Sequence, residues 1–227
     1  MRVLVGCEES QTITKELRRR GVEAYSCDLQ VCSGGHPEWH INNDVLPLLN
    51  GKCIFRTMDG TIHIIEEKWD MIICHPVCTY LSIAGNRWYN EEKYGEKAKQ
   101  RKKDREDAVK FFMEFINADC EKICVENPVG YMNTHYRKAD QIFHPWMFGD
   151  PYMKQTCFWL KGLKPLIPSV ETEPELDCYY WVDKKGRKHR ENKWYRDALA
   201  AKTDEERRCL RSKTFPGVAK AIAEQWI

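Results

Sequence analysis

Residues 71–82 of the chain read MIICHPVCTYLS, and this stretch decides the fold. Its first four residues are apolar, which is typical of a strand buried on both faces of a parallel sheet. Pro76 then restrains the backbone two residues before Cys78. The stretch therefore predicts a core strand with a cysteine thiol just beyond its carboxyl end.

A second segment has the same design. Residues 123–128 read ICVENP, a short apolar run with Glu126 and Asn127 at its end. Because parallel strands place their carboxyl ends at one edge of a sheet, we expect the thiol of Cys78 and the carboxyl group of Glu126 on neighbouring strands. Such a pair can attack a pyrimidine ring and protonate it.

The N-terminal segment contains a helix between two strands. VLV at residues 3–5 ends at Gly6, and VEAYSC at residues 22–27 ends at Asp28. Between them, residues 12–20 are a predicted helix that a glycine closes. A strand-helix-strand unit of this kind implies a parallel sheet with a right-handed crossover.

The rest of the chain continues the alternation. The Asp59-Gly60 turn signal predicts a hairpin over residues 53–65, and a later strand and helix are predicted at 157–160 and 217–226. We therefore predict an α/β fold with a mostly parallel, doubly wound sheet and small hairpin insertions, in a single domain over residues 1–227.

Composition favours a soluble protein of ordinary type. The 227 residues are 42% hydrophobic and 31% charged, and no apolar run reaches the length of a membrane span. A net charge of +2 means that any contact with nucleic acid must come from local patches. Eleven cysteines, an odd number, and an N-terminus without a signal-peptide core indicate reduced thiols in the cytoplasm, with no membrane partner.

Residues 70–82 resemble the proline-cysteine segment of the DNA (cytosine-5) methyltransferases. Four residues keep the spacing of that segment: Pro76, Cys78, Thr79 and Ser82. Of these, Thr79 replaces the usual glutamine. Glu126-Asn127-Pro128 is similar to the Glu-Asn-Val segment of the same family. The resemblance extends thinly over the whole chain and implies a Rossmann-like methyltransferase fold, S-adenosylmethionine as the cofactor and DNA as the partner.

The resemblance also implies roles for residues outside these two segments. Gly6 stands where the cofactor loop of the family begins, Asp28 where an acid holds the ribose, and Asp44 where an aspartate meets the adenine. Pro76 and Gly217 are further cofactor contacts by the same resemblance. The substrate contacts that we predict are Thr79, Tyr80, Ser82, Arg87, Lys154 and Gln155, the last two standing near the family's Gln-x-Arg segment, whose arginines are missing here.

The implied chemistry begins with addition of the Cys78 thiolate to C6 of cytosine, which makes C5 nucleophilic. Glu126 is expected to protonate N3, as a carboxylic acid whose pKa is raised by burial. Asn127 is expected to orient Glu126 or to hold a backbone carbonyl. A base in duplex DNA must flip out of the stack before this reaction, and aromatic residues after the cysteine, Tyr80 among them, are candidates to replace the lost stacking.

Several features keep other interpretations open. Residues 7–10 read CEES, which is not a glycine-rich loop, and residues 163–211, with a basic aromatic hairpin at 179–196, are the only candidate for a recognition insertion. One alternative is C5 modification of free pyrimidine nucleotides, or attachment of a group other than methyl. The other is a non-catalytic DNA-binding protein on the same scaffold.

Simpler explanations also exist for single residues. Cys78 fits a buried core cysteine, Asp28 and Asp44 fit acids that cap loops, and the charged residues 91–105 fit a solvated helical face. Residues 30–43 are expected to be irregular. A zinc site is one explanation for four residues in and next to that segment, and scattered loop residues are the other: Cys27, Cys32, His36 and His40.

Overall fold

A seven-stranded sheet forms the centre of the chain. The structure is a computed structural model that describes residues 1–203, 206–207, 210, 212 and 214–227. Its strands are β1 (Arg2–Gly6), β2 (Glu23–Asp28), β3 (His40–Asn42), β4 (Cys53–Arg56), β5 (Ile62–Ile65), β6 (Met71–Cys74), β7 (Ile123–Pro128), β8 (Gln141–Phe143), β9 (Thr156–Lys161), β10 (Cys178–Val182) and β11 (Lys188–Asn192). Its helices include α1 (Thr12–Arg19), α2 (Glu91–Tyr94), α3 (Glu96–Ile116), α4 (Met132–His135), α5 (Lys193–Leu199) and α6 (Pro216–Gln225).

The strand order of the large sheet is β3-β2-β1-β6-β7-β9-β8. The first five strands in this order are mutually parallel, whereas β9 runs antiparallel to both β7 and β8. The order grows outward on one side of β1 through β2 and β3, and on its other side through β6 and β7. In open α/β sheets, ligands bind beyond the carboxyl ends of the strands at such a switch in direction.

Both faces of the sheet are covered. Val3 and Ile73 belong to a core that includes residues of α1 and α6, whereas Leu4 and Ile72 belong to a second core that includes residues of α3. Successive side chains of a strand point to opposite faces, so the apolar run of β6 is buried on both sides. The predicted α/β class and mostly parallel sheet are therefore confirmed.

Strand β7 is longer than the sequence predicted. We expected it to end at Val125, with Glu126 beyond it, but β9 pairs antiparallel along the next three residues and extends β7 to Pro128. Glu126 lies opposite Phe158 in this register. The carboxyl group therefore stands on a strand that is held from both sides, not on a loop.

Other differences arise where a segment was too short, or too rich in charged residues, for its secondary structure to be predicted from sequence. The segment expected to be irregular contains the edge strand β3, and the charged segment forms α2 and α3 with a break at Gly95, whose φ is 51°. A glycine adopts this left-handed conformation at little cost. Among the described residues, no helix combines the length and apolar character that crossing a membrane requires.

Both predicted hairpins exist as separate two-stranded sheets, β4–β5 and β10–β11. The second hairpin ends at Asn192, and the residues after it form α5 rather than a continuation of the arm. Residues 204, 205, 208, 209 and 211 of the predicted recognition insertion (163–211) lie outside the described residues. That insertion stays a prediction.

Candidate functional site

The loop after β6 is attached to both neighbouring strands of the sheet. The backbone N–H of His75 donates to the carbonyl oxygen of Gly6 at 3.0 Å. The buried side-chain amide of Asn127 donates to the carbonyl oxygen of Pro76 at 2.7 Å. The predicted role of Asn127 as the holder of a backbone carbonyl is thus confirmed, and the loop is bound to β1 and β7.

Cys78 follows two residues later, and its side chain is exposed. A buried core cysteine, the simpler explanation of this residue, is therefore wrong. The backbone carbonyl of Cys78 accepts from the N–H groups of Leu81 and Ser82, both at 3.0 Å. These bonds make a tight turn that presents the thiol at the surface.

The chain after this turn is attached to the end of β7. The N–H of Tyr131 donates to the carbonyl oxygen of Leu81 at 2.7 Å, and Ser82 forms an antiparallel bridge with Gly130. A Cβ atom at position 130 would lie 2.0 Å from the Leu81 oxygen. Only glycine permits this close approach, so the cysteine loop is held at both of its ends.

Two arginines of α3 hold the same loop from outside. Arg101 donates to the carbonyl oxygen of Thr79 at 2.8 Å, and Arg105 donates to that of Tyr80 at 3.1 Å. The Arg105 guanidinium also lies 3.4 Å from the ring centre of Tyr89. The interpretation of this charged helix as a solvated face is therefore wrong for its arginines.

The predicted substrate residues of this region have varied surroundings. The ring of Tyr80 lies 5.0 Å from the guanidinium of Arg101. Arg87 is exposed and lies 4.8 Å from the ring of Trp88. Thr79 is exposed and Ser82 is half-buried. Their roles toward a substrate stay predictions.

We expect Arg105→Ala to lower the free energy of unfolding by about 2 kcal/mol, because it removes a charged hydrogen bond and a cation–π contact. Urea unfolding of this variant should be compared with that of Lys103→Ala, which removes an exposed charge from the same helix. Equal stability of the two variants would show that Arg105 does not hold the loop.

A narrow cleft with room for about 20 Å³ lies between the ends of β6, β7 and β9 and the helices α1 and α6. Its walls are largely apolar and include Phe158, Phe215 and Val218. Five of the residues that line it are polar: His75, Glu126, Lys154, Thr156 and Thr214. An apolar pocket with a few convergent polar groups is the usual form of a binding site. Cys78, itself a described residue, is not among the residues that line this cleft.

Glu126 is paired inside this cleft. Its Oε2 lies 2.9 Å from Nδ1 of His75, and the two side chains are only 16% and 10% exposed. Burial acts to raise the pKa of Glu126, but the hydrogen bond to His75 and the charges of Lys154 and His75 outweigh it and lower the pKa below the ordinary 4.5. The predicted upward shift is therefore wrong in direction, because it considered burial without the contact from His75 and the charge of Lys154.

The predicted cofactor residues occupy the same edge of the sheet, with local roles of their own. Gly6 ends β1, where a Cβ atom would lie 3.0 Å from the Val45 side chain. Asp28 ends β2, accepts from the N–H of Gln30 at 2.9 Å, and has a pKa raised chiefly by burial. Asp44 is exposed and accepts from the N–H of Leu46 at 3.1 Å, as expected of an acid that caps a loop.

Gly217 lies in the first turn of α6, next to the cleft. Its N–H donates to Asp150 at 2.8 Å, and a Cβ atom there would lie 2.1 Å from the carbonyl oxygen of Phe148. The close packing of two backbones explains this glycine. Gln155 is exposed and precedes β9, whereas its neighbour Lys154 reaches the cleft.

The loop between β1 and α1 differs from a glycine-rich loop. Glu8 is buried and accepts from the N–H of Ile13 at 2.6 Å and from the hydroxyl of Thr14 at 2.6 Å. Its other bond, from the N–H of Thr14, measures 3.3 Å. The N-terminus of α1, where a phosphate often binds, is thus occupied by a carboxyl group of the protein itself.

The zinc interpretation is not supported. Both ring nitrogens of His40 are used, Nδ1 with the Ser26 hydroxyl at 2.8 Å and Nε2 with the carbonyl oxygen of Gln30 at 2.9 Å. Cys27 contacts the carbonyl oxygen of Asn43 at 3.3 Å. Within the described part of the chain, no group of three or more His, Cys, Asp or Glu side chains is arranged to hold a metal.

Sequence reasoning missed three polar residues of the cleft, His75, Thr156 and Thr214. His75 had a usable signal, because it stands between a fully apolar strand and Pro76, at the edge of the sheet where sites form. Thr156 had no such signal, since its place in the cleft depends on the antiparallel pairing of β9.

In the comparisons with known proteins, no family model matches this chain and no curated protein matches it.

Proposed function

We propose that this chain is a Rossmann-like methyltransferase that transfers a methyl group from S-adenosylmethionine to C5 of cytosine in DNA. One observation carries the proposal. The 2.7 Å hydrogen bond from Asn127 to Pro76 joins the loop of Cys78 to the strand that carries Glu126. A thiol and a carboxyl group on two joined elements are what covalent catalysis on a pyrimidine requires.

The strand order supports the fold part of the proposal. Without the separate hairpin β4–β5, the parallel strands β3-β2-β1-β6-β7 follow the order of the doubly wound sheets that bind dinucleotides. The expected ligand position is then beyond β1 and β6. Gly6, Asp28 and Pro76 belong to this edge and are the residues that we assign to the cofactor.

The loop of Glu8 supports a cofactor without phosphate. Because the N–H groups of Ile13 and Thr14 already donate to Glu8, a pyrophosphate would have to compete with Glu8 for these donors. S-adenosylmethionine is a nucleoside with a positively charged sulfonium, which suits an edge that carries the carboxyl groups of Glu8 and Asp28. When bound, this cofactor supplies an electrophilic methyl group.

In this proposal, the sulfur of Cys78 forms a bond to C6 of cytosine, and the electron pair of the C5–C6 double bond becomes available at C5. Glu126 delivers a proton to N3, which relieves the negative charge on the ring. Once C5 carries the methyl group, loss of the C5 proton to water or a base lets the S–C6 bond break.

The hairpin β10–β11 is the surface that we assign to DNA. Tyr180 is 71% exposed and Trp181 is 42% exposed, and base–aromatic stacking does not depend on sequence. The only acid of the turn, Asp183, already binds Arg187 and His189. Lys184 and Lys185 are exposed beside it and have no ion pair with another described residue.

We expect the double variant Lys184→Ala/Lys185→Ala to reduce the slope of log affinity for DNA against log salt by about 2, since each phosphate contact contributes about 0.9. Fluorescence anisotropy at several salt concentrations measures this slope. Lys97→Ala/Lys103→Ala removes the same charge from α3 and should leave it unchanged. A larger effect of the α3 variant would place the DNA surface on that helix instead.

The proposed function is tested by incubating the protein with methyl-labelled S-adenosylmethionine and duplex DNA that contains 5-fluorocytosine. Fluorine at C5 cannot leave as the proton does, so we expect a covalent adduct that maps to Cys78. Absence of both adduct and label on any DNA overturns the proposal. Turnover of free dCMP would favour the nucleotide-modifying alternative, and DNA binding without turnover would favour the non-catalytic one.

A further inference from the structure

His75 is a polar residue of the cleft that contacts Glu126 directly and has no role in the mechanism above. Its Nδ1 lies 2.9 Å from Glu126, its side chain is 10% exposed, and its Nε2 is buried with no hydrogen-bond partner among the described residues. Buried polar atoms are nearly always partnered in folded proteins. A ligand or water that enters the cleft is therefore needed to satisfy Nε2.

We propose that His75 is a positioning residue that holds the proton for Glu126: it orients the carboxylate in the resting protein and returns a proton to it when Cys78 attacks the pyrimidine. This inference rests on the proposed function. It answers a difficulty in that function, because Glu126 has to give up a proton while its surroundings favour the ionised form.

The charges around the imidazole suit this role. Glu126 of β7 lies on its Nδ1 side, and the buried carboxyl group of Glu8 is close enough for electrostatic attraction. Lys154 is the cation that shares the cleft. The backbone of His75 is also fixed, since its N–H donates to Gly6. Two acids therefore act on the imidazole, a lysine shares its cleft, and its backbone is held in place.

As the S–C6 bond forms, the N–H bond at Nδ1 of the imidazolium breaks and its proton passes to the Glu126 carboxylate. The carboxylic acid so formed gives the proton to N3, and His75 is left as neutral imidazole. When the S–C6 bond breaks, N3 returns the proton along the same path, and the pair is restored.

His75→Asn separates this role from simple packing. Its side-chain amide nitrogen replaces Nδ1 and can still donate to Glu126, but it carries no proton that titrates near neutral pH. We expect methyl transfer at pH 7.5 to fall about 100-fold, within the usual range for general acid catalysis. Activity should recover in part toward pH 5.5, where solvent protonates Glu126.

The experiment is the pH profile of kcat/KM for methylation of duplex DNA by the wild type, His75→Asn and His75→Gln, with a parallel 13C NMR titration of the Glu126 carboxyl group. An alkaline limb that moves to lower pH in both variants, with a raised pKa of Glu126 in them, supports the inference. Unchanged profiles in active variants overturn it and leave the proposed function intact. A wild type without methylation at any pH overturns the proposed function and the proton step together.

Discussion

Cys78→Ser is expected to abolish methyl transfer to DNA, with a loss of at least about 1,000-fold, while the protein stays folded. A serine hydroxyl is not ionised near neutral pH and is a far weaker nucleophile toward C6 than a thiolate. The side chain at this position is exposed, and exposed substitutions usually change stability by less than about 0.5 kcal/mol. The expected result is therefore a folded protein that binds DNA and does not modify it.

Transfer of labelled methyl to DNA measures the loss, and urea unfolding measures the stability. Cys32→Ser is the matched control, because it makes the same chemical change in the loop between β2 and β3, two strands that β1 separates from β6 in the sheet. Full activity of Cys78→Ser, or an equal loss in Cys32→Ser, would remove Cys78 from the mechanism. Loss of activity together with a large loss of stability would point to a structural role.

The main elements of the fold follow from local sequence. The strand β6 and the β1-α1-β2 unit were predicted because their apolar residues are continuous or periodic over four residues or more. The edge strand β3 was missed, because it has three residues, no period of its own and a place that only its pairing with β2 defines. A short edge strand of this kind forms because it pairs with a neighbouring strand, which the local sequence does not show.

In the candidate site, too, features that depend on local sequence could be predicted and features that depend on distant residues could not. Cys78, Glu126 and Asn127 were predicted, because each stands at the end of an apolar run and proximity of strand ends is a property of parallel sheets. The direction of the Glu126 pKa shift was not predicted, because it depends on His75, 51 residues earlier in the chain, and on Lys154, which comes later in the chain. The hydrogen bonds from Arg101 and Arg105 to the cysteine loop were not predicted either, because they join residues that are far apart in the sequence.

Glu8→Ala is expected to have the largest effect on stability, lowering the free energy of unfolding by about 3 kcal/mol at neutral pH. The variant leaves two backbone N–H groups and the Thr14 hydroxyl without their acceptor at the buried start of α1. Each such loss costs about 1–3 kcal/mol, and removal of a buried carboxyl group offsets part of the sum. Glu114→Ala, an exposed change on α3, should cost less than about 0.5 kcal/mol.

The pH dependence of this difference tests the burial of Glu8 itself. Burial raises its pKa above the ordinary 4.5 in the folded protein, so between these two values the folded state binds more protons than the unfolded state. The stability that Glu8 contributes is then complete below pH 4.5 and decreases as the pH rises through the folded value. Urea unfolding should therefore show a larger gap between wild type and Glu8→Ala at pH 5 than at pH 7. A gap that widens toward pH 7 would mean instead that Glu8 is held as a stabilised carboxylate in the folded protein.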